Sequence, residues 1–307
     1  MRRLLPVIIF LFWLPAMPAS AATCSCAGVP LLSAMDTSST EPGDLYINLT
    51  TENHEISDLV QGSDEITDET GRERSSLSQV MSASYGLADR WALSGLLSYV
   101  EHSRSVGSSF LGEQNSSGLG DAVLMVRYSP MLMTPFSRHE LSFGLGARLA
   151  VGKNDAGGLV QFSEDMQPGA GAPATLAWGS YSYAFDQAGT KVVSTSANYT
   201  YNDYENDRNY TFGDETNVAL VFSHSLGTKF GYSAGLRYRH TDPDERLGFG
   251  VPNTGGEWLD FIPAVRYSFT PEWTVSVSGR LPVSRQLNGA LQFSTSYSYA
   301  VSITHAL

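Results

Sequence analysis

Apolar and polar positions alternate along most of this chain, and the alternation runs to the last residue. Tyr297, Tyr299, Val301, Ile303, His305 and Leu307 interleave with Ser298, Ala300, Ser302, Thr304 and Ala306. A period of two is a strand with one apolar face and one small or polar face. The pattern recurs from about residue 44 and predicts strands near 44–52, 74–86, 90–103, 118–129, 139–152 and 173–185. Further strands are predicted near 190–202, 213–224, 229–241, 257–269, 272–284 and 290–307. That is about 12 strands, an even number, as expected of a single-chain bacterial barrel in a membrane. Lipid forbids an open sheet edge, so a spanning sheet must close on itself. The predicted fold is all-β: a transmembrane antiparallel up-and-down β-barrel.

The links between strands support this reading. Gly86-Leu87-Ala88-Asp89, Asp186-Gln187-Ala188-Gly189, Leu226-Gly227-Thr228 and Thr270-Pro271-Glu272 are tight turns. Longer polar links fall at about 53–73, 104–117, 153–172, 203–212 and 242–256. Short turns toward the periplasm and long loops outward are the barrel convention. A β-sandwich does not predict such regular alternation of link length.

The two faces differ in chemistry. Leu141, Phe143, Leu145, Ala147, Leu149 and Val151 share one face, opposed to Ser142, Gly144, Gly146, Arg148 and Ala150. A charge facing mid-bilayer lipid costs about 2–4 kcal/mol, so the polar parity is assigned to the lumen. That parity collects Arg127, Arg148, Arg237, Arg239, Arg266 and Arg280 with Asp121 and Asp260. Arginines lining a narrow pore can select an anionic solute. Paired with the acids, they can equally fill and prop the lumen. Tyr181, Tyr183, Phe185, Phe269 and Trp273 lie near the short-turn end and are candidates for an interfacial girdle.

Composition narrows the class. Arg2 and Arg3, an apolar run from Leu4 to Leu14 and Ala19-Ser20-Ala21 read as a signal peptide over 1–21. Residues 22–42 then form a periplasmic extension and 43–307 the barrel. A net charge of −12 excludes nucleic acid as a partner. Mean hydropathy is −0.13, as expected when each lipid-facing residue is diluted by a lumen-facing one. The outer links are acidic: Glu52, Glu55, Asp58, Asp64, Glu65, Asp68, Glu69 and Glu73 crowd the first, and Asp242, Asp244 and Glu245 the fifth. They are read as solvated loop surface.

Cys24-Ser25-Cys26, the only cysteines, sit just after the expected cleavage point. Two thiolates so spaced can hold a soft ion such as Cu(I), pair as a disulfide in the oxidising periplasm, or remain inert; a lipid on Cys24 fits poorly after Ala21-Ala22-Thr23. His102 and Ser103 are adjacent, but neighbours in a strand point to opposite faces, so they do not make a catalytic pair. No cofactor and no enzymatic activity are expected, and no phosphate-binding Gly-x-x-x-x-Gly-Lys-Ser/Thr occurs.

Three stretches carry a family resemblance. Gly118-Leu119-Gly120-Asp121 leads into Val126-Arg127-Tyr128, and Gln167-Pro168-Gly169-Ala170-Gly171 precedes the next strand. Asn253-Thr254-Gly255-Gly256, Pro263-Ala264-Val265-Arg266-Tyr267 and Pro282 through Asn288-Gly289 follow. Together they resemble the outer-membrane proteins of the phenol-degradation meta-pathway type. In that family the fifth strand commonly ends Pro-Thr-Gly, where this chain has Ala150-Val151-Gly152, and Leu307 stands in place of a terminal aromatic. The resemblance implies a passive channel or transporter for small hydrophobic or aromatic solutes in the outer membrane of a Gram-negative bacterium. Its partners would be outer-membrane lipid and lipopolysaccharide, the barrel-assembly machinery and a small organic solute. The alternative is a non-transporting barrel acting as a periplasmic metal or redox contact through Cys24 and Cys26.

Overall fold

The computed structural model describes residues 41–107, 112–134, 136–158, 160–202 and 204–307. The expected signal segment, Cys24, Cys26 and nearly all of the 22–42 extension lie outside the described residues.

Twelve antiparallel strands form a ring. They are β1 (Leu45–Glu55), β2 (Arg72–Ala88), β3 (Trp91–Val106), β4 in two pieces (Gln114–Leu119 and Ala122–Met131), β5 (His139–Leu149) and β6 (Ala174–Ala184). The ring continues with β7 (Lys191–Tyr201), β8 (Glu215–Leu226), β9 (Phe230–Thr241), β10 (Gly256–Ser268), β11 (Trp273–Leu287) and β12 (Tyr297–Ala306). Each strand pairs with its successor, and β12 pairs with β1 from Tyr46↔Ala306 to Glu55↔Tyr297. Leu45 and Leu307 exchange both backbone hydrogen bonds at the seam, 3.1 and 2.8 Å. No edge is left at the junction of the first and last strands, which is what lipid demands.

The expected strands are present, with two corrections. The last strand starts at Tyr297 rather than 290, and Gln292–Ser294 instead joins Asp58–Gln61 and Asp64–Ile66 in a small loop sheet. There Phe293 packs against Ile56 and Leu59, and the Trp258 indole N–H donates to Ser294 Oγ at 3.1 Å, which draws the segment off the wall. The fourth strand starts earlier, at Gln114, and breaks at Gly120-Asp121. Buried positions switch there from the even parity of Ser116 to the odd parity of Val123, Met125 and Arg127. One extra residue in a strand has this effect.

The outward face is an apolar band bounded by aromatics. Leu145 is 69 % exposed, and Leu124, Val126, Phe143, Leu220, Val277 and Ile303 are exposed beside it in the band. At the short-turn end Trp91 packs on Tyr128 (4.7 Å), Tyr183 on Phe185 (5.3 Å) and Tyr267 on Phe269 (5.1 Å), and Trp273 stacks on His305 (4.1 Å). Tyr99, Tyr199, Tyr238 and Tyr299 stand nearer the other rim. Rings with one polar edge settle at the boundary between lipid and water.

Candidate functional site

The inward side chains divide the lumen into two halves. On β2 to β5 Ser82, Ser84, Ser94, Ser129 and Ser142 are buried, with Ser84–Ser94 and Ser129–Ser142 hydroxyl pairs at 2.8 Å between neighbouring strands. Val80, Leu96, Val123, Met125, Leu176 and Trp178 form one apolar cluster on β2, β3, β4 and β6. On β7 to β12 a run of small inward side chains is only half-buried: Ser194, Ser196, Ala219, Val221, Ser223, Ser233, Ala264, Ser276, Ser278, Ala300 and Ser302. Solvent therefore reaches the lumen along β7–β12, while the β2–β5 half is packed.

Arg237 and Asp260 stand above this open half, paired at 3.0 Å across β9 and β10. Arg280 on β11 reaches past β12 to Glu52 on β1 at 2.9 Å. Such a pair between non-adjacent strands is possible only inside the ring. Arg239 lies 3.9 Å from the Trp258 ring centre, a cation–π distance, and 4.0 Å from Glu215. On the other side Arg148 Nε lies 3.7 Å from Asp121, and its Nη2 donates to Asn202 at 2.8 Å. Arg127 is buried low on β4, and Arg266 is exposed at the short-turn end of β10, where it donates to Ser225. The other residues of the polar parity thus fall into two paired groups, one around Arg237 and Arg280 and one around Arg148.

Above them the mouth is covered. The segment between β5 and β6, here called the cap, turns inward through a short 3₁₀ turn, Glu164–Met166, whose side chains are buried. Asp121 pins it at both ends: its carboxylate accepts from Gly152 N and from Ala170 N, each at 2.9 Å. Gly152 and Gly169 pass so close that a Cβ on Gly169 would lie 2.8 Å from Gly152 Cα. The Gln167 carboxamide closes the cap on itself, accepting from Ala156 N (2.8 Å) and donating to Ala156 O and Phe162 O (3.0 Å each). Arg74 donates to Asp165 at 3.0 Å, Arg104 lies 3.5 Å from the same carboxylate, and Arg208 pairs with Glu164. Burial pushes the Glu164 carboxyl above its ordinary value, although Arg208 and Asn206 pull the other way.

A second knot holds the opposite side of the mouth. Asn253 Oδ1 accepts from Ala290 N (2.7 Å) and Leu291 N (3.2 Å), and the Gln292 carboxamide donates to Gly255 O (2.9 Å) and Asn288 O (2.6 Å). Asp244 accepts from Gly213 N (2.8 Å) and the Tyr210 hydroxyl (2.5 Å), and burial raises its pKa.

Asp64, Glu65, Glu69, Glu73, Asp242 and Glu245 are exposed as expected of solvated loops, and the expectation is corrected at three other acids. Glu52 lies on β1 inside the barrel, Asp58 pairs with Arg285, and Asp244 is 2 % exposed. Each meets a donor contributed by a distant part of the chain, so local composition could not reveal it. Arg74 and Arg104 join the inward set, and the polar parity of β2 and β3 runs straight through them. His102 is buried inside and Ser103 faces out, as the strand period requires.

A closed twelve-strand ring with an apolar outer band and a polar, partly open lumen defines an outer-membrane β-barrel. Residues 75–293, more than half the chain, match the family described as the MetA pathway of phenol degradation, and the chain belongs to that family. Asp121, Gln167, Gly169 and Ala170 in the cap, and Asn253, Gly255 and Asn288 in the second knot, belong to the stretches that carry the resemblance. The fold is similar to that of an outer membrane channel from Pseudomonas putida F1, with a TM-score of 0.70 and 11 % identity over 89 % of this chain and 98 % of that one. It is also similar to the β domain of the Bordetella autotransporter BrkA, with a TM-score of 0.50 and 12 % identity over 87 % of this chain and 100 % of that one. No protein of the curated set matches the chain.

Proposed function

We propose that this protein is a passive outer-membrane channel for small organic solutes, aromatic or hydrophobic in character. The observation that carries the reading is the half-buried lumen along β7–β12, which rises from the short-turn end to Arg237 and Arg280. Membership of a family described by phenol degradation supports the solute class. Asp121, Arg127, Arg148, Arg237, Arg239, Asp260, Arg266 and Arg280 line the route or brace it. Around the barrel stand lipid and, at the outer rim, lipopolysaccharide. The alternating β12 is the segment the barrel-assembly machinery would receive. The chain works without catalysis, by offering a sheltered path through lipid.

Single-channel recording of the refolded protein in a planar bilayer tests this. A reproducible pore, altered by an aromatic solute, is expected. Replacing Arg148, Arg237 or Arg266 with alanine is expected to move the reversal potential in a salt gradient toward cations. A folded, silent barrel that also fails to pass aromatic solutes into vesicles would sink the channel reading. Unchanged ion preference in all three variants would remove the arginines from the route.

A further inference from the structure

The open half of the lumen contains a flat apolar shelf directly beside two guanidinium groups. Register places them together. Val221, Gly235 and Ile262 form one cross-strand row on β8, β9 and β10, and Ala219, Arg237 and Asp260 form the next inward row. On β11 the pairs Phe261↔Leu281 and Ala264↔Ser278 bracket Ile262 and put Arg280 beside it. Val221 and Ile262 are half-buried, so the shelf is open to the lumen. Gly235 keeps it flat: a Cβ there would lie 3.0 Å from Val221 Cγ2. Ser233, Ser278 and Ala264 border it on the side of the short turns.

The guanidinium groups have unspent capacity. Arg237 uses Nη2 on Asp260, and Arg280 uses Nη2 on Glu52. The Nε–H of each is buried without an acceptor. An arginine has five donors and pairs best with a carboxylate through two of them. Each side chain keeps a small open face, 8 % for Arg237 and 11 % for Arg280, where an arriving carboxylate meets a guanidinium with donors to spare.

We infer that this corner is a binding subsite for small monocarboxylates with a flat apolar body. The carboxylate meets Arg237 and Arg280, and the body lies on Val221, Gly235 and Ile262. The inference rests on the channel reading for its route and sharpens the solute class from aromatic to aromatic and acidic. A neutral aromatic solute finds the shelf but not the charge. A short hydrophilic acid finds the charge but not the shelf.

Binding of benzoate, benzyl alcohol and acetate to the folded full barrel in detergent, measured by calorimetry, tests the subsite. Benzoate is expected to bind about tenfold tighter than benzyl alcohol, the value of one charge-assisted hydrogen bond, and tighter than acetate. Arg237→Gln combined with Asp260→Asn removes both charges of the pair together and leaves neither partner charged alone. It is expected to cut the preference for benzoate over benzyl alcohol, with Arg280 still in place. Ile262→Ser, which touches no charge, is expected to bring benzoate down to the affinity of acetate. Equal binding of benzoate and benzyl alcohol to the unaltered protein overturns the subsite, as does a full preference kept in both variants. Vesicle flux separates the two readings. Benzoate binding without passage of any solute condemns the channel and keeps the subsite. Passage of all three without preferential binding does the reverse.

Discussion

Asp121→Ala is expected to release the cap and raise the conductance of the pore. A single carboxylate holds both ends of that segment, through Gly152 N and Ala170 N at 2.9 Å, and faces Arg148 at 3.7 Å. Alanine leaves the buried Ala170 N–H, the half-buried Gly152 N–H and a buried guanidinium without their acid. Removing one member of a buried charge pair costs about 3–5 kcal/mol. Loops generally open locally at a fraction of the global stability, so a loss of this size is felt first at the cap. Larger and noisier single-channel currents are expected, with faster protease cleavage between residues 150 and 172. Asp121→Asn keeps one carbonyl acceptor and should fall between the two. Unchanged current together with unchanged cleavage would mean the segment is not held here.

Leu145→Arg should strongly destabilise the barrel in lipid. Leu145 points outward from the middle of β5, between Val126 and Ala177 on its neighbours, and is 69 % exposed. A guanidinium at that depth costs about 2–4 kcal/mol. Ser276→Arg supplies the contrast, since Ser276 faces the open side of the lumen and is half-buried. Equilibrium urea unfolding in phospholipid vesicles should show a large loss for the first variant and a small one for the second. Equal losses would overturn the assignment of faces.

Much of this architecture is legible in the amino-acid sequence because a barrel writes one rule many times. Every strand repeats the period of two, and Leu145, Val277 and Ile303 declare their face without reference to anything distant. The misread places are those where small residues hide the parity or where a partner is remote. Ser116, Gly118 and Gly120 are compatible with either face, so the break beside Asp121 passes unnoticed. Gln292, Phe293 and Ser294 alternate as well as any wall strand, yet Ile56, Leu59 and Trp258 draw them into the loop sheet. Glu52 reads as loop acid until Arg280, contributed from β11, is beside it. The family stretches Gly118–Asp121 and Gln167–Gly171 are recognisable as text, but their meeting across the mouth depends on the cap turning inward. For the same reason alternation alone cannot divide the lumen into a packed half and an open one. It reports direction, while burial depends on what arrives from the other strands.

That division has a consequence for how such a barrel can change over generations. The apolar cluster inside the wall, from Val80 to Trp178, sits on one arc of the ring, and the small side chains along the proposed solute route sit on the other. A half-buried Ser196, Ser223 or Ala300 has little packing to lose, so exchanging it alters what passes while leaving the scaffold intact. Most mutations carry a stability loss of about 1 kcal/mol, and lineages that must adapt through packed residues stall on it. On the proposed route the two demands fall on separate strands, so selection can retune one arc while the other stands still.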